Sequence, residues 1–171
     1  MENINALAVE IREISQANGW DSVYRPDWTS SNDMIPCRLA LIHSEICEAH
    51  GAFHTGDFDN LEAEFADIII RVLDLADGLT EDFEAHVARL EGAFLSDNVE
   101  QAFNFLHNMT TYALEAFRSD DLLKFLGALA LLLFSVECWA LGKFGINMDV
   151  AVPEKMDVNR HRSYRHGGKR V

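Results

Sequence analysis

LALIHSEICEAHGAF (39–53) and NLEAEFADIIIRVLDLA (60–76) decide how this chain is read. In the first, Leu41, Ile42, Ala49 and Ala52 recur at helical spacing. In the second, Leu61, Phe65, Ile68, Val72 and Leu75 form a continuous apolar arc. His54-Thr55-Gly56-Asp57 separates them as a turn. The first helix is expected from Pro36, a good first-turn residue, to Phe53; the second is expected to open on the capping-box pattern Asp59-x-x-Glu62 and to close before Gly78. Further out, the same periodicity predicts helices over Ile4–Ala17, stopped by Asn18-Gly19, and over Glu81–Glu91, Val99–Phe117 and Leu122–Lys143. Trp20–Asn32 reads as irregular. The last segment, 153–171, is expected to start as a helical turn at Pro153 and to finish extended around Gly167-Gly168. No run alternates as a strand would, so the expected class is all-α.

A shift of 64 positions aligns the 36–77 hairpin with the 99–143 hairpin: His43 falls on His107, Asp57 on Asp121, Ala66 on Ala130, Val72 on Val136 and Gly78 on Gly142. The architecture read from this is a helical bundle of two related hairpins. Their similarity in Ala and Leu content is the competing explanation of the match.

With 171 residues and about half of them apolar, the chain suits one domain, 1–171, with a real core. Cys37, Cys47 and Cys138 are odd in number and lack CxxC spacing, which suggests neither a disulfide framework nor a zinc site. Met1–Glu10 has two acids and no basic start, unlike a signal peptide, and a cytoplasmic location is expected. The apolar run Phe125–Leu141 approaches membrane-span length but contains Glu137, and is read as a helix buried in a bundle or subunit interface. Leu129, Leu132, Leu133, Val136 and Trp139 on that run lead to the expectation of a homodimer or larger homo-oligomer. The formal charge is −14, with six Lys or Arg against one Asp from Lys155 onward. An acidic body of this kind is a poor surface for nucleic acid. Beside a short basic tail, it suits a small phosphorylated ligand carrying a divalent metal.

The acids have a pattern of their own. Glu45 and Glu48 are three apart on one helix, and Glu64 and Asp67 repeat the spacing on the next. Glu45 lies within the apolar stripe, and Glu64 lies at the edge of its arc. Like charges at this spacing cost a helix about 0.2–0.5 kcal/mol per pair when exposed, and burial increases the cost. A hard divalent cation offsets it, since Mg²⁺ takes a few carboxylates and keeps its other positions for water and phosphates. The expected metal ligands are therefore Glu45, Glu48, Glu64 and Asp67, the cofactor Mg²⁺ with Mn²⁺ as the alternative, and the candidate base Glu45 or Glu48. Acidic pairs on solvated helices are common, and it is the two pairs on consecutive helices that favour a site.

The pairs ExxE and ExxD on successive helices resemble the motif of the MazG-like all-α nucleotide pyrophosphohydrolase superfamily. Lys155, Asn159, Arg162, His166, Gly167 and Lys169 resemble its C-terminal phosphate-binding pattern, so the likeness covers residues 36–77 and 153–170. It implies Mg²⁺-dependent cleavage of a nucleoside triphosphate between its α and β phosphates, with phosphates held by Lys155, Asn159, Arg162 and Lys169. Ser44 stands where many members have a further Glu, which leaves the number of metal ions open. The doubled hairpin is similar to the dimeric dUTPase branch, but the matched residues do not choose a base or sugar.

Trp20, Asp21 and Trp28 are candidates for a base pocket, because aromatic faces stack on bases and a carboxylate reads a base edge; packing is the alternative for the tryptophans. His43 and His50 point away from Glu45 on the wheel and read as packing or surface residues. No helix carries the Glu-x-x-His of a di-iron bundle, and no Walker loop, GxSxG or GxGxxG is present. Two other functions compete with hydrolysis: a nucleotide- and metal-binding regulator without turnover, and a structural acidic bundle.

Overall fold

Short polar side chains cap four of the helices, at Asp57, Asn98, Asp121 and Asn147. The computed structural model describes residues 1, 3–20, 28, 34–90 and 96–165. Among them are α1 (Ile4–Ala17), α2 (Met34–Thr55), α3 (Phe58–Asp77), α4 (Glu84–Ala88), α5 (Val99–Arg118), α6 (Leu122–Trp139) and α7 (Met148–Arg160). No strand occurs among the described residues, and the fold is all-α.

The cap of α3 is Asp57, whose side chain accepts from the Asn60 N–H at 3.2 Å. Asp59, expected to open a capping box, is already inside the first turn. Asp121 caps α6 in the same way, accepting from the Lys124 N–H at 3.0 Å. A π-helical turn, Ala140–Phe144, prolongs α6 until Gly145 takes a left-handed φ of 70°.

The chain beyond it departs from expectation. In place of a turn begun at Pro153, α7 starts at Met148, capped by Asn147, and carries Pro153 in its interior. Proline removes one helical hydrogen bond, but the carbonyl left over belongs to exposed Asp149. Met148, Ala151, Val152 and Met156 are all buried, and their packing holds the helix together.

At the centre lies α3, which packs against α1, α2, α6 and α7. Its Phe65 is fully buried and meets Trp139 edge-on at 5.7 Å, while Trp139 meets Phe103 of α5 at 5.0 Å. Each such pair contributes about 0.5–1.5 kcal/mol beyond area burial. The helix from Leu122 to Phe144 is long and apolar enough to cross a membrane, but 61% of its most apolar window is buried within the fold.

That burial corrects the argument for an oligomer. Leu129, Leu132, Leu133 and Val136 are fully buried and Trp139 is 4% exposed, all within one chain, because α3, α4 and α5 pack on α6. The apolar residues that suggest a dimer are covered without a second copy.

Candidate metal centre

The side chains of α1, α2, α3 and α7 leave between them a cleft of about 370 Å³. Glu45 and Glu48 reach it from α2, Glu64 and Asp67 from α3, Lys155 and Asn159 from α7, and Arg162 from just beyond the end of α7; Trp20 lines it just beyond the end of α1. Helical periodicity brings each pair of acids to one face, and the packing of α2 along α3 turns the two faces together. Oxygens of Glu45, Glu48 and Glu64 lie within 4.8 Å of one another. Glu45 is 6% exposed and Glu64 8%, whereas Glu48 is exposed.

Three of the four expected ligands thus converge, and the fourth is engaged differently. Asp67 forms an ion pair with Lys155 at 2.8 Å, and both side chains are largely buried. Burial raises the Asp67 pKa, against the hydrogen bond and charge of Lys155. Glu64 is pushed up to about 7, first by burial and then by the charges of Asp67, Glu45 and Glu48. The Glu64 carboxyl is therefore part protonated at neutral pH when no cation is bound. Two buried acids and a solvent-exposed third, crowded in a cleft, are a donor set of hard oxygens that fits Mg²⁺.

Arg71, Arg38 and Asp74 also belong to the cleft, although neither acidic motif includes them. Arg71 is one helical turn from Asp67 and donates through Nε to Glu45 Oε1 at 2.5 Å. Arg38 lies 3.4 Å from Asp74, whose pKa is raised by burial in spite of that guanidinium. The available signal was a basic residue spaced with the acidic motif on each helix, Arg71 after Asp67 and Arg38 before Glu45.

The residues after α1 are tied to the end of α7 and the chain beyond it. Asn18 Nδ2 donates to the Asn159 carbonyl at 3.0 Å, and the Arg165 N–H and Nε donate to the carbonyls of Asn18 and Gly19 at 2.8 and 3.0 Å. Gly19 has φ 85°, and a Cβ there would run into the Tyr164 ring. Trp20 sits beside this junction, with the Arg165 guanidinium 5.9 Å from its ring centre.

No protein-family model, curated protein or solved structure matches the chain.

Of the other expected residues, Asp21, His166, Gly167 and Lys169 lie outside the described residues. Trp28 is a correction to the base-pocket reading. It is 6% exposed, away from the cleft, and meets Phe117 and Phe125 edge-on, each at 5.4 Å. Its large apolar ring fills the space between α5 and α6. Trp28→Ala is expected to destabilise the fold by about 3–5 kcal/mol, measured by chemical denaturation. His43 and His50 do lie off the cleft, against α5: His43 Nδ1 is 3.0 Å from His107 Nδ1, and the His50 ring stacks on Phe103.

The raised Glu64 pKa also sets a pH dependence. Between the ordinary value of 4.5 and about 7, the folded chain holds a proton that the unfolded chain has released. Stability from this group is present below that window and is lost as pH rises through it. In a chelator, the Tm of the wild-type chain should fall relative to that of Glu64→Gln between pH 5 and 8. Parallel Tm profiles would show that Glu64 is not perturbed.

Proposed function

We propose that the chain is a Mg²⁺-dependent hydrolase that cleaves a nucleoside triphosphate to the monophosphate and pyrophosphate. The observation that carries this reading is the meeting of Glu45, Glu48 and Glu64 in one cleft with Lys155 and Arg162 on its α7 side. Acids and bases then face the same small volume, as a metal-bound polyphosphate requires.

Glu45, Glu48 and Glu64 would hold the cation, with Asp67 joining them when Lys155 turns to phosphate. Bound there, Mg²⁺ supplies charge neutralisation at phosphoryl oxygens and acidifies water. Of the two base candidates, Glu45 is engaged by Arg71, which leaves exposed Glu48 to accept the proton. As that proton leaves the attacking water, its oxygen bonds to the α-phosphorus and the bond from the α-phosphorus to the αβ-bridging oxygen breaks, releasing pyrophosphate. Lys155 and Arg162 bind and orient the departing phosphates through charge-assisted hydrogen bonds, with Asn159 beside them. Trp20 offers a face for the base at the cleft rim.

We read α2–α3 and α5–α6 as related pairs, of which only the first bears the acids. The equivalent caps Asp57 and Asp121, and the facing residues His43 and His107, support this.

Incubation of the protein with the common ribo- and deoxyribonucleoside triphosphates and Mg²⁺ tests the proposal, with pyrophosphate and monophosphate both quantified. Stoichiometric release of the two from at least one nucleotide is expected. Nucleotide-dependent thermal stabilisation without turnover would favour the regulatory reading, and neither effect would favour a structural bundle.

A further inference from the structure

On the side of α2 facing α5, a second group of ligand atoms converges outside the acidic cleft. His50 and His54, one helical turn apart, bring their Nε2 atoms within 3.0 Å of each other. Glu100, in the first turn of α5, places Oε2 3.2 Å from His50 Nε2 and Oε1 3.3 Å from His54 Nε2. The His50 ring is held flat against Phe103, with centroids 4.3 Å apart. None of the three residues lines the acidic cleft.

Two neutral imidazoles can each donate an Nε2–H to its own Glu100 oxygen, at 3.2 and 3.3 Å. The same two nitrogens, with their lone pairs turned inward beside the carboxylate, also form three sides of a coordination shell. Ligands about 2.0–2.1 Å from a tetrahedral ion stand about 3.3 Å apart, close to the separations here. His43 and His107 meet at 3.0 Å with Cys47 beside them and lack a carboxylate.

We propose that His50, His54 and Glu100 form a binding site for a divalent transition-metal ion of the Zn²⁺ class, joining α2 to the start of α5. Two imidazoles and one carboxylate select such an ion over Mg²⁺, which prefers oxygen alone. The His54 and Glu100 side chains are more than half exposed, so the fourth position opens to water. The site does not depend on the hydrolase reading.

The test is calorimetric titration of Zn²⁺ into the chelator-stripped full chain in excess Mg²⁺, with melting temperature followed in parallel. One Zn²⁺ per chain and a rise in Tm are expected for wild type, for Glu64→Gln and for Cys47→Ser. His54→Asn and Glu100→Gln, both at exposed positions, should stay folded and bind Zn²⁺ more weakly by over about 100-fold, the upper range for losing a mere outer-sphere partner. Unchanged affinity in those two variants would overturn the proposal. So would loss of binding in Glu64→Gln, which would put the ion in the acidic cleft, or in Cys47→Ser, which would put it with His43 and His107.

Discussion

Replacing Glu64 by Gln is expected to lower Mg²⁺-dependent pyrophosphate release by at least about 10³-fold while making the metal-free protein more stable at pH 8. The two effects have one cause. Burial, and then the charges of Asp67, Glu45 and Glu48, push the Glu64 pKa to about 7, so its ionised form is costly until a cation arrives. Glutamine keeps the shape of the protonated acid and removes the charge, for a gain on the order of 1–3 kcal/mol. Glu45→Gln should lose activity equally, but with the opposite effect on stability. It would leave Arg71 without the carboxylate that it now meets at 2.5 Å, at a cost of about 1–3 kcal/mol. Pyrophosphate assays and thermal melts of both variants in chelator check these signs. Wild-type turnover in Glu64→Gln would remove it from the metal centre.

The second large effect is expected from Lys155→Ala combined with Arg162→Ala. Charge-assisted hydrogen bonds are worth about 1.5–3 kcal/mol each, so losing two should reduce kcat/KM by roughly two to four powers of ten. Point variants are required, because ending the chain before Lys155 would also remove Met156, which is 3% exposed in the core. The structure adds a prediction about the metal. Lys155 pairs with Asp67, so its removal frees a carboxylate beside the other three. Mg²⁺ should then bind the double variant at least as tightly as the wild type while phosphate recognition collapses. If kcat/KM is retained, Lys155 serves only as the counter-charge of Asp67, and the phosphate-binding reading of α7 fails.

The helices were legible because their information is local. The apolar arc of Leu61, Phe65, Ile68, Val72 and Leu75 marks α3 whatever lies around it, and the i, i+3 acids fall on a single face by geometry alone. Three elements needed the tertiary fold. Pro153 reads as a first-turn residue, but the burial of Met148 and Val152 starts α7 a turn earlier. Trp28 is equally suited to stacking on a base or filling a core, and only its contacts with Phe117 and Phe125 distinguish the two. The apolar surface of α6 is plain in the sequence, while the helices that cover it come from distant parts of the same chain. The all-α class, the spans of α1 to α6 to within a few residues and the acids that share a face are readable along the chain, since each depends on residues within a few turns. That Arg71 neutralises Glu45, that Lys155 holds Asp67 and that His50 and His54 meet Glu100 emerges only when the helices pack. Those contacts join residues distant along the chain, and helical periodicity says which face a side chain occupies but not which helix will lie against it.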